Sequence, residues 1–220
     1  MGKLIVIEGL DGCGKSTQLE LLPKRLSEHG IEVESVSFPN YESDSSALVK
    51  MYLAGEFGKK PGDVNAFAAS CFYAVDRYAS FKSVWGDFYK NGGTVIAGRY
   101  TTSNAVHQAS KLPQNQWESF LSWLYDFEYN KIGIPKPDMV IFLDMPTEVS
   151  QKLLTGRYCG DNSKKDIHER DTEYLKHCRE AALFTANFSD WQIINCANGD
   201  SPRTIEDISN EILDKVLTLF

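Results

Sequence analysis

Short apolar runs recur along the chain and predict strands that are buried inside a sheet. Residues 4–8, 94–97 and 139–144 are almost continuously apolar, as is typical of strands with both faces covered. The alternating run 32–38 and the run 191–196 complete a set of five predicted strands. We therefore expect a sheet to form the core of the protein.

Helical periodicity between these runs predicts that helices connect the strands. In residues 16–28, Leu19, Leu22 and Leu26 share one helical face, and Gly30 follows the end of the helix. Residues between 97 and 114 form a polar segment without a predicted helix. The other predicted helices are 47–53, a long helix from the N-cap Asp63 to Lys90, 114–131, 147–154, 169–188 and 205–219.

Strands that alternate with helices predict right-handed crossovers, and hence a three-layer α/β/α fold around a five-stranded parallel sheet. At 220 residues the chain fits one domain, residues 1–220. In parallel sheets of this kind, ligands bind beyond the carboxyl ends of the strands. Functional side chains are therefore expected directly after the predicted strands.

The composition argues against several classes of partner. A net charge of −7 disfavours a nucleic-acid polymer or a membrane surface as the partner. No apolar run approaches the roughly 18 residues of a membrane span. The five cysteines are scattered and lack metal-binding spacing. We therefore expect a cytoplasmic protein without an export signal.

The sequence GLDGCGKS at residues 9–16 matches the phosphate-binding pattern GxxxxGK[ST] and lies between a predicted strand and a predicted helix. In such a phosphate loop, backbone N–H groups and a lysine bind phosphate oxygens, and the final hydroxyl can ligate Mg²⁺. This pattern predicts a P-loop NTPase fold that binds a nucleoside triphosphate, with Ser16 as the metal ligand. The residues expected around the triphosphate are Gly9, Asp11, Gly12, Cys13, Gly14, Lys15, Ser16 and Thr17.

The rest of the chain narrows the class to a small nucleotide kinase. The NKxD pattern of a GTPase is missing from the sequence, and large motors need a longer chain. A nucleotide kinase needs an arginine for the acceptor phosphate and a basic lid over the transferred group. Arg99 follows a predicted strand, and its fork suits a monophosphate. The glycine-rich and basic segment 155–168 has the composition of a lid.

Several segments, in order along the chain, resemble motifs of the thymidylate kinase family. IEGLDGCGKSTQ at 7–18 resembles the phosphate loop of that family, and FP at 38–39 resembles its turn after the second strand. FYAVDR at 72–77, RYTTSNAVHQ at 99–108 and the segment 137–157 resemble three further motifs. The resemblance implies ATP and Mg²⁺ as cofactors, dTMP as the substrate, and a homodimer.

The resemblance also implies a role for individual residues. Arg99 would hold the acceptor phosphate, Arg77 would bond a thymine carbonyl, and Tyr73 would stack on the thymine, with Phe72 as the competing ring. Asp11 would contact the acceptor sugar. The further residues implied are Pro39, Ser103 and Gln108 at the substrate, and Lys15 with the lid cation Arg157 in catalysis, the other lid cations being Lys164, Lys165 and Arg170.

Three departures from the family pattern leave alternatives open. Gly98 stands where the family has an aspartate that helps to position Mg²⁺, a task that could fall to Asp144; His107 replaces a tyrosine; and residues 40–42 lack an arginine. One alternative is a deoxynucleoside kinase that uses Glu8 as its base. Another is a nucleotide-binding protein with weak catalysis. The sequence does not decide the preference between dTMP and dUMP.

Overall fold

A five-stranded parallel sheet forms the centre of the protein, as predicted. The computed structural model describes residues 1–157 and 172–220. The strands are β1 (Lys3–Gly9), β2 (Val33–Ser37), β3 (Thr94–Gly98), β4 (Met139–Asp144) and β5 (Gln192–Asn195), in the order β2-β3-β1-β4-β5. In the central strand, Ile7 pairs with Gly98 on one side and Ile141 on the other. The phosphate loop therefore leaves the middle of the sheet beside the tip of β3.

Helices connect the strands and continue after the last one. In the described part of the chain they are α1 (Lys15–Glu28), α2 (Ala47–Leu53), α3 (Ala66–Ser80), α4 (Gly86–Lys90), α5 (Thr101–His107), α6 (Trp117–Tyr125), α7 (Thr147–Arg157), α8 (Thr172–Phe188) and α9 (Ile205–Leu217). π-Helical segments Phe81–Trp85 and Asp126–Ile132 follow α3 and α6. A hairpin of β6 (Ala197–Asn198) and β7 (Ser201–Pro202) precedes α9.

The sheet separates two hydrophobic layers. Leu4 and Val6 of β1 pack in a cluster with residues of α5, α6 and α8. Ile5 and Ile7 pack in a second cluster with residues of α1 and α9. All four of these β1 side chains are fully buried. Burial of one such aliphatic side chain stabilises a fold by roughly 1.5–3 kcal/mol. The alternation along β1 confirms the three-layer α/β/α arrangement.

One predicted helix start was wrong because local capping competes with periodicity, and one predicted helix has a mixed character. The long helix begins at Ala66 rather than after Asp63, because the Asn65 side chain accepts a hydrogen bond from the Ala68 N–H at 2.8 Å. Asp63 instead caps a short 3₁₀ turn, where its carboxylate accepts from the Lys59 and Lys60 N–H groups. The predicted helix 114–131 begins with a 3₁₀ turn and becomes π-helical from Asp126.

The polar segment after β3 contains a helix that the periodicity did not predict. The helix is α5, and Thr101, Thr102 and Asn104 are buried in it although they are polar. Their side chains donate hydrogen bonds to two buried glutamates. Helix α5 therefore lacks the apolar face by which a helix is recognised in a sequence.

No helix in the described ranges 1–157 and 172–220 has the length and apolar character to cross a membrane.

Candidate active site

The phosphate loop turns tightly between β1 and α1. Gly12 and Gly14 have left-handed backbones with φ of 81° and 89°, which glycine adopts without strain. A Cβ on Gly12 would lie 2.9 Å from the Ser150 carbonyl oxygen, and a Cβ on Gly9 would lie 2.5 Å from Cys13 Sγ. Gly14 is the N-cap of α1, so the positive end of the helix dipole lies at the loop. The loop geometry therefore forms an anion site.

Lys15 and Ser16 add a cation and a hydroxyl to this loop. Lys15 Nζ donates to the Gly9 carbonyl oxygen at 2.6 Å. Burial lowers the pKa of Lys15, and Arg99 lowers it further. Ser16 is exposed in the cleft above. Within the described residues, no group of three or more metal-binding side chains is found. Mg²⁺ bound to nucleotides takes most of its ligands from phosphates and water, so a single hydroxyl fits it.

The phosphate loop lines a large donor cleft of about 950 Å³. Asp11 to Thr17 lie along one wall, Leu153 and Leu154 of α7 contribute to another, and residues 202–205 lie at the start of α9. Near that helix, Gln18 donates through Nε2 to the Ile205 carbonyl oxygen at 3.2 Å. The buried Oε1 of Gln18 has no hydrogen-bond partner among the described residues. Gln18 therefore links α1 to the start of α9 beside the cleft.

Arg99 lies at the tip of β3, between the donor cleft and a second, smaller cavity. Its φ of 63° is unusual for a residue with a side chain. One terminal nitrogen donates to Asp11 Oδ1 at 2.7 Å, and the other lies 3.2 Å from His107 Nε2. Burial opposes the charge of Arg99, but Asp11 and Glu8 outweigh burial and raise its pKa. Arg99 is therefore a fixed cation in both cavities.

Glu8 is a buried carboxylate that links the phosphate loop to α5. It accepts from Ser103 Oγ at 2.6 Å, Thr102 Oγ1 at 2.8 Å and the Gly9 N–H at 3.0 Å. Burial alone would raise the pKa of Glu8, but Lys15 and Arg99 outweigh burial, so the net shift is downward. An ionised carboxylate with three hydrogen-bond donors is a poor proton acceptor. This geometry disfavours Glu8 as the base of a deoxynucleoside kinase.

The smaller cavity has a volume of about 190 Å³ and is termed the acceptor cavity. Phe72 does not belong to the lining that the described residues form, because its ring packs against Tyr52 and Phe57. The predicted substrate residues in the lining are Pro39, Tyr73, Arg77, Arg99, Ser103 and Gln108. Four further lining residues are not among the site residues predicted from the sequence: Tyr41, Tyr52, Asn104 and Lys111.

Arg77 contacts the acceptor cavity from a buried ion pair. Its Nε donates to Glu128 Oε2 at 2.7 Å, and a terminal nitrogen lies 2.5 Å from Glu128 Oε1. The remaining terminal nitrogen donates to the Tyr100 carbonyl oxygen at 3.3 Å. Thr101 Oγ1 also donates to Glu128 at 2.8 Å. Two of the three guanidinium nitrogens of Arg77 thus bind Glu128. No sequence motif pointed to Glu128, because its partners are distant along the chain.

Two polar side chains complete the acceptor cavity. Gln108 is buried, and no described residue is a hydrogen-bond partner of its Oε1. Lys111 Nζ donates to Tyr52 Oη at 2.8 Å and to the Val64 carbonyl oxygen at 3.2 Å. Burial lowers the pKa of Lys111 to about 8. Gln108 therefore carries a buried acceptor that the described residues leave without a partner, and Lys111 is a partly desolvated cation.

The position of Gly98 leaves no room for an acidic side chain without rearrangement. A Cβ on Gly98 would lie 2.4 Å from Leu19 Cδ1 and 3.4 Å from Ser37 Oγ. Leu19 of α1 thus occupies the space beside the strand tip. Asp144 does not replace the missing acid as a free ligand, because Arg179 binds both of its oxygens at 2.7 and 2.8 Å.

The predicted lid lies largely outside the described residues. Arg157 is the last residue of α7, and its side chain is not among those described. The other predicted lid cations, Lys164, Lys165 and Arg170, also lie outside the described residues.

The sheet order, the phosphate loop and the arginine between two cavities define a phosphate-loop nucleotide kinase. A family model described as thymidylate kinase matches residues 7–212, and the chain belongs to this family.

Two relatives and one solved structure illustrate the similarity. The chain is 33% identical over 172 residues to thymidylate kinase of Mycobacterium tuberculosis, covering 77% of this chain and 79% of that protein. It is 30% identical over 221 residues to probable thymidylate kinase of Thermococcus gammatolerans, covering 98% and 96%. The structure of thymidylate kinase from Candida albicans has the same fold, with a TM-score of 0.73 and 22% identity over 99% of this chain and 92% of that chain.

Proposed function

We propose that this protein transfers the γ-phosphoryl group of ATP to dTMP, as one kinase domain over residues 1–220. The observation that carries this proposal is the position of Arg99, which lines both the donor cleft and the acceptor cavity. A monophosphate bound to Arg99 would lie next to the phosphate loop, where the donor phosphates bind. Membership of the thymidylate kinase family supports dTMP as the acceptor.

In the proposed reaction, an oxygen of the acceptor phosphate attacks the γ-phosphorus, and the bond from that phosphorus to the bridging oxygen of ADP breaks. The loop N–H groups, Lys15 and Arg99 stabilise the charge on the transferred group and hold both substrates in line. Ser16 would hold Mg²⁺, which neutralises phosphate charge when it is bound. Arg157 and the lid at 155–168 would add a further cation.

Asp11 has a supporting role in this proposal. Its Oδ1 binds one terminal nitrogen of Arg99 at 2.7 Å, so the guanidinium can use its other N–H groups on the acceptor phosphate. The same carboxylate lines both cavities and would contact the acceptor sugar.

The acceptor cavity has groups that match a thymine base. Gln108 Oε1 lacks a partner in the described part of the chain and would accept the N3–H of thymine. Tyr73 would stack on the ring, and burial raises the pKa of Tyr73, so its phenol stays neutral. Arg77 would donate to a thymine carbonyl, while Pro39 and Ser103 would lie at the sugar.

We infer that ATP is the phosphoryl donor. The phosphate loop lines a cleft of about 950 Å³, and membership of the thymidylate kinase family implies ATP use.

A homodimer in the cytoplasm is part of the same proposal. Phe67, Val75 and Tyr78 lie on one side of α3 and have 43%, 50% and 42% of their surfaces exposed. An apolar stripe of this kind would suit contact with a second copy. The cytoplasmic location rests on the scattered cysteines of the sequence.

A coupled assay of ADP release with dTMP, dUMP, other nucleoside monophosphates and thymidine tests the proposal. We expect ATP- and Mg²⁺-dependent turnover of dTMP. Turnover of thymidine in place of dTMP would identify a deoxynucleoside kinase. ATP binding without ADP release for any acceptor would identify a catalytically weak nucleotide-binding protein.

A further inference from the structure

We propose that His107 is a positioning residue that fixes the Arg99 guanidinium in the orientation needed to bind the acceptor phosphate. The proposal rests on the function proposed above. Arg99 is held at two different nitrogens, by Asp11 Oδ1 at 2.7 Å and by His107 Nε2 at 3.2 Å. Because the guanidinium is planar and rigid, two contacts fix its orientation, whereas one contact leaves it free to rotate.

The direction of this hydrogen bond defines the form of the imidazole. Arginine has only donors, so His107 Nε2 must be the acceptor and Nδ1 must carry the proton. Burial, followed by the charge of Arg99, lowers the pKa of His107 to about 4. The ring is therefore neutral at physiological pH. The charged or titratable groups that face it are Arg99, Asp11, Glu8, Lys15 and, from α8, Cys178, whose Sγ lies 3.9 Å from Nδ1.

His107 supplies one of the two side-chain contacts that hold the Arg99 guanidinium among the described residues. The backbone of Arg99 is left-handed, and Lys15 is a second half-buried cation close enough for Arg99 to lower its pKa. A long side chain with one anchor at Asp11 would sample several orientations. A small misplacement of a group that aligns the substrates can reduce turnover by about 100-fold. His107 lines the acceptor cavity, so its contact acts where the acceptor phosphate is bound.

The competing explanation is that His107 only packs α5 against α8. Its contact with Cys178 is compatible with that explanation. A packing role would lower stability and disturb both substrates together. A positioning role would raise KM for the acceptor and could lower kcat, but it would leave KM for ATP unchanged. It would be retained by any side chain that places a hydrogen-bond acceptor where Nε2 lies.

Two substitutions separate these explanations. His107→Phe keeps a ring but removes the acceptor, and His107→Gln keeps an acceptor oxygen close to the Nε2 position. We expect His107→Phe to raise KM for dTMP by about five- to tenfold, less than the loss of Arg99 itself, because Asp11 still holds the guanidinium at one nitrogen. KM for ATP should stay within about twofold, and His107→Gln should restore KM for dTMP to within about threefold. An unchanged KM for dTMP in His107→Phe, an equal rise for both substrates, or no recovery in folded His107→Gln would overturn the proposal.

A binding measurement keeps this test independent of turnover. Calorimetric titration gives the affinity for dTMP and the affinity for thymidine. The ratio of these two affinities measures what the phosphate group contributes to binding. Absence of turnover in the unchanged protein would refute the proposed function. A smaller dTMP-to-thymidine affinity ratio in His107→Phe would still support the role of His107, and an unchanged ratio would refute it.

If His107→Phe does not fold, His107→Gln and His107→Asn provide the comparison, because the shorter asparagine amide reaches only the Nδ1 position. The glutamine variant should then keep the larger affinity ratio. Equal ratios in these two variants would overturn the proposal.

Discussion

The donor cleft and the acceptor cavity share Arg99, but the chain builds them in different ways. The phosphate-binding part of the donor cleft comes from one contiguous loop and the first turn of α1, and much of its chemistry lies in backbone N–H groups. The acceptor cavity collects side chains from segments as distant as Pro39, Tyr73 and Gln108. A contiguous loop tolerates changes elsewhere, whereas a cavity assembled from distant side chains depends on the buried network that holds them.

The largest effect is expected at the donor side. Lys15→Ala removes the only cation of the phosphate loop itself, so kcat/KM for ATP should fall by about 100- to 1,000-fold. Steady-state assays with ATP as the varied substrate measure the loss. Binding of dTMP should persist, because the acceptor cavity is built from other residues. A parallel loss of dTMP affinity would show that the two sites are less separate than the contacts indicate.

The second effect concerns the network behind the acceptor cavity. Glu128→Ala leaves Arg77 as an unpaired buried charge, and breaking a buried ion pair costs about 3–5 kcal/mol of unfolding free energy. Urea unfolding measures the change. The matched control is the double variant Arg77→Met/Glu128→Leu, which removes both charges and should recover much of the stability. The affinity of the double variant for dTMP should be lower than that of the unchanged protein, because methionine cannot donate to a thymine carbonyl. A double variant with normal dTMP binding would contradict the role of Arg77.

The contrast between the two regions also explains what could be predicted from the sequence. The sheet and the phosphate loop were predictable because a buried strand needs a continuous apolar run and a phosphate loop needs adjacent glycines. Helix α5 was not, since Glu8 and Glu128 satisfy its buried polar side chains from other parts of the chain. Glu128, Asn104 and Lys111 gave no signal because their partners are distant in sequence. Leu19 beside Gly98 depends on packing, which a pattern does not encode.

A smaller effect is expected at the strand tip between the two regions. Gly98→Asp places a Cβ 2.4 Å from Leu19 Cδ1, so the half-buried Leu19 side chain must leave its rotamer, which costs about 0.5–1.5 kcal/mol. In the double variant Leu19→Ala/Gly98→Asp the space is free, so the two substitutions should compensate by about 0.5–1 kcal/mol in a double-mutant cycle of urea unfolding. The double variant should also reach half-maximal turnover at a lower Mg²⁺ concentration than the Leu19→Ala variant. Strictly additive effects would mean that Leu19 does not exclude an acid at this position.

The smallest effect is a pH dependence at the acceptor side. The folded-state pKa of Lys111 is lowered to about 8, below its unfolded value of about 10.4. Below pH 8 both states carry the proton, and between about pH 8 and 10.4 the folded state releases it first, so stability rises with pH in this window. The unfolding free energy is measured by urea unfolding at a series of pH values. Its change with pH should differ between the unchanged protein and Lys111→Met only in this window. Identical changes with pH would show that Lys111 is not desolvated.

The most direct measurement of the shared-arginine account compares ligand binding to the unchanged protein and to Arg99→Ala. Alanine is also a non-glycine residue at a left-handed φ, so the substitution tests the side chain rather than the backbone. Calorimetric titration should show dTMP affinity reduced by at least about tenfold, since a charge-assisted contact to phosphate is lost, and ATP affinity within about twofold of the original. Unchanged dTMP affinity in a folded Arg99→Ala protein would contradict the account.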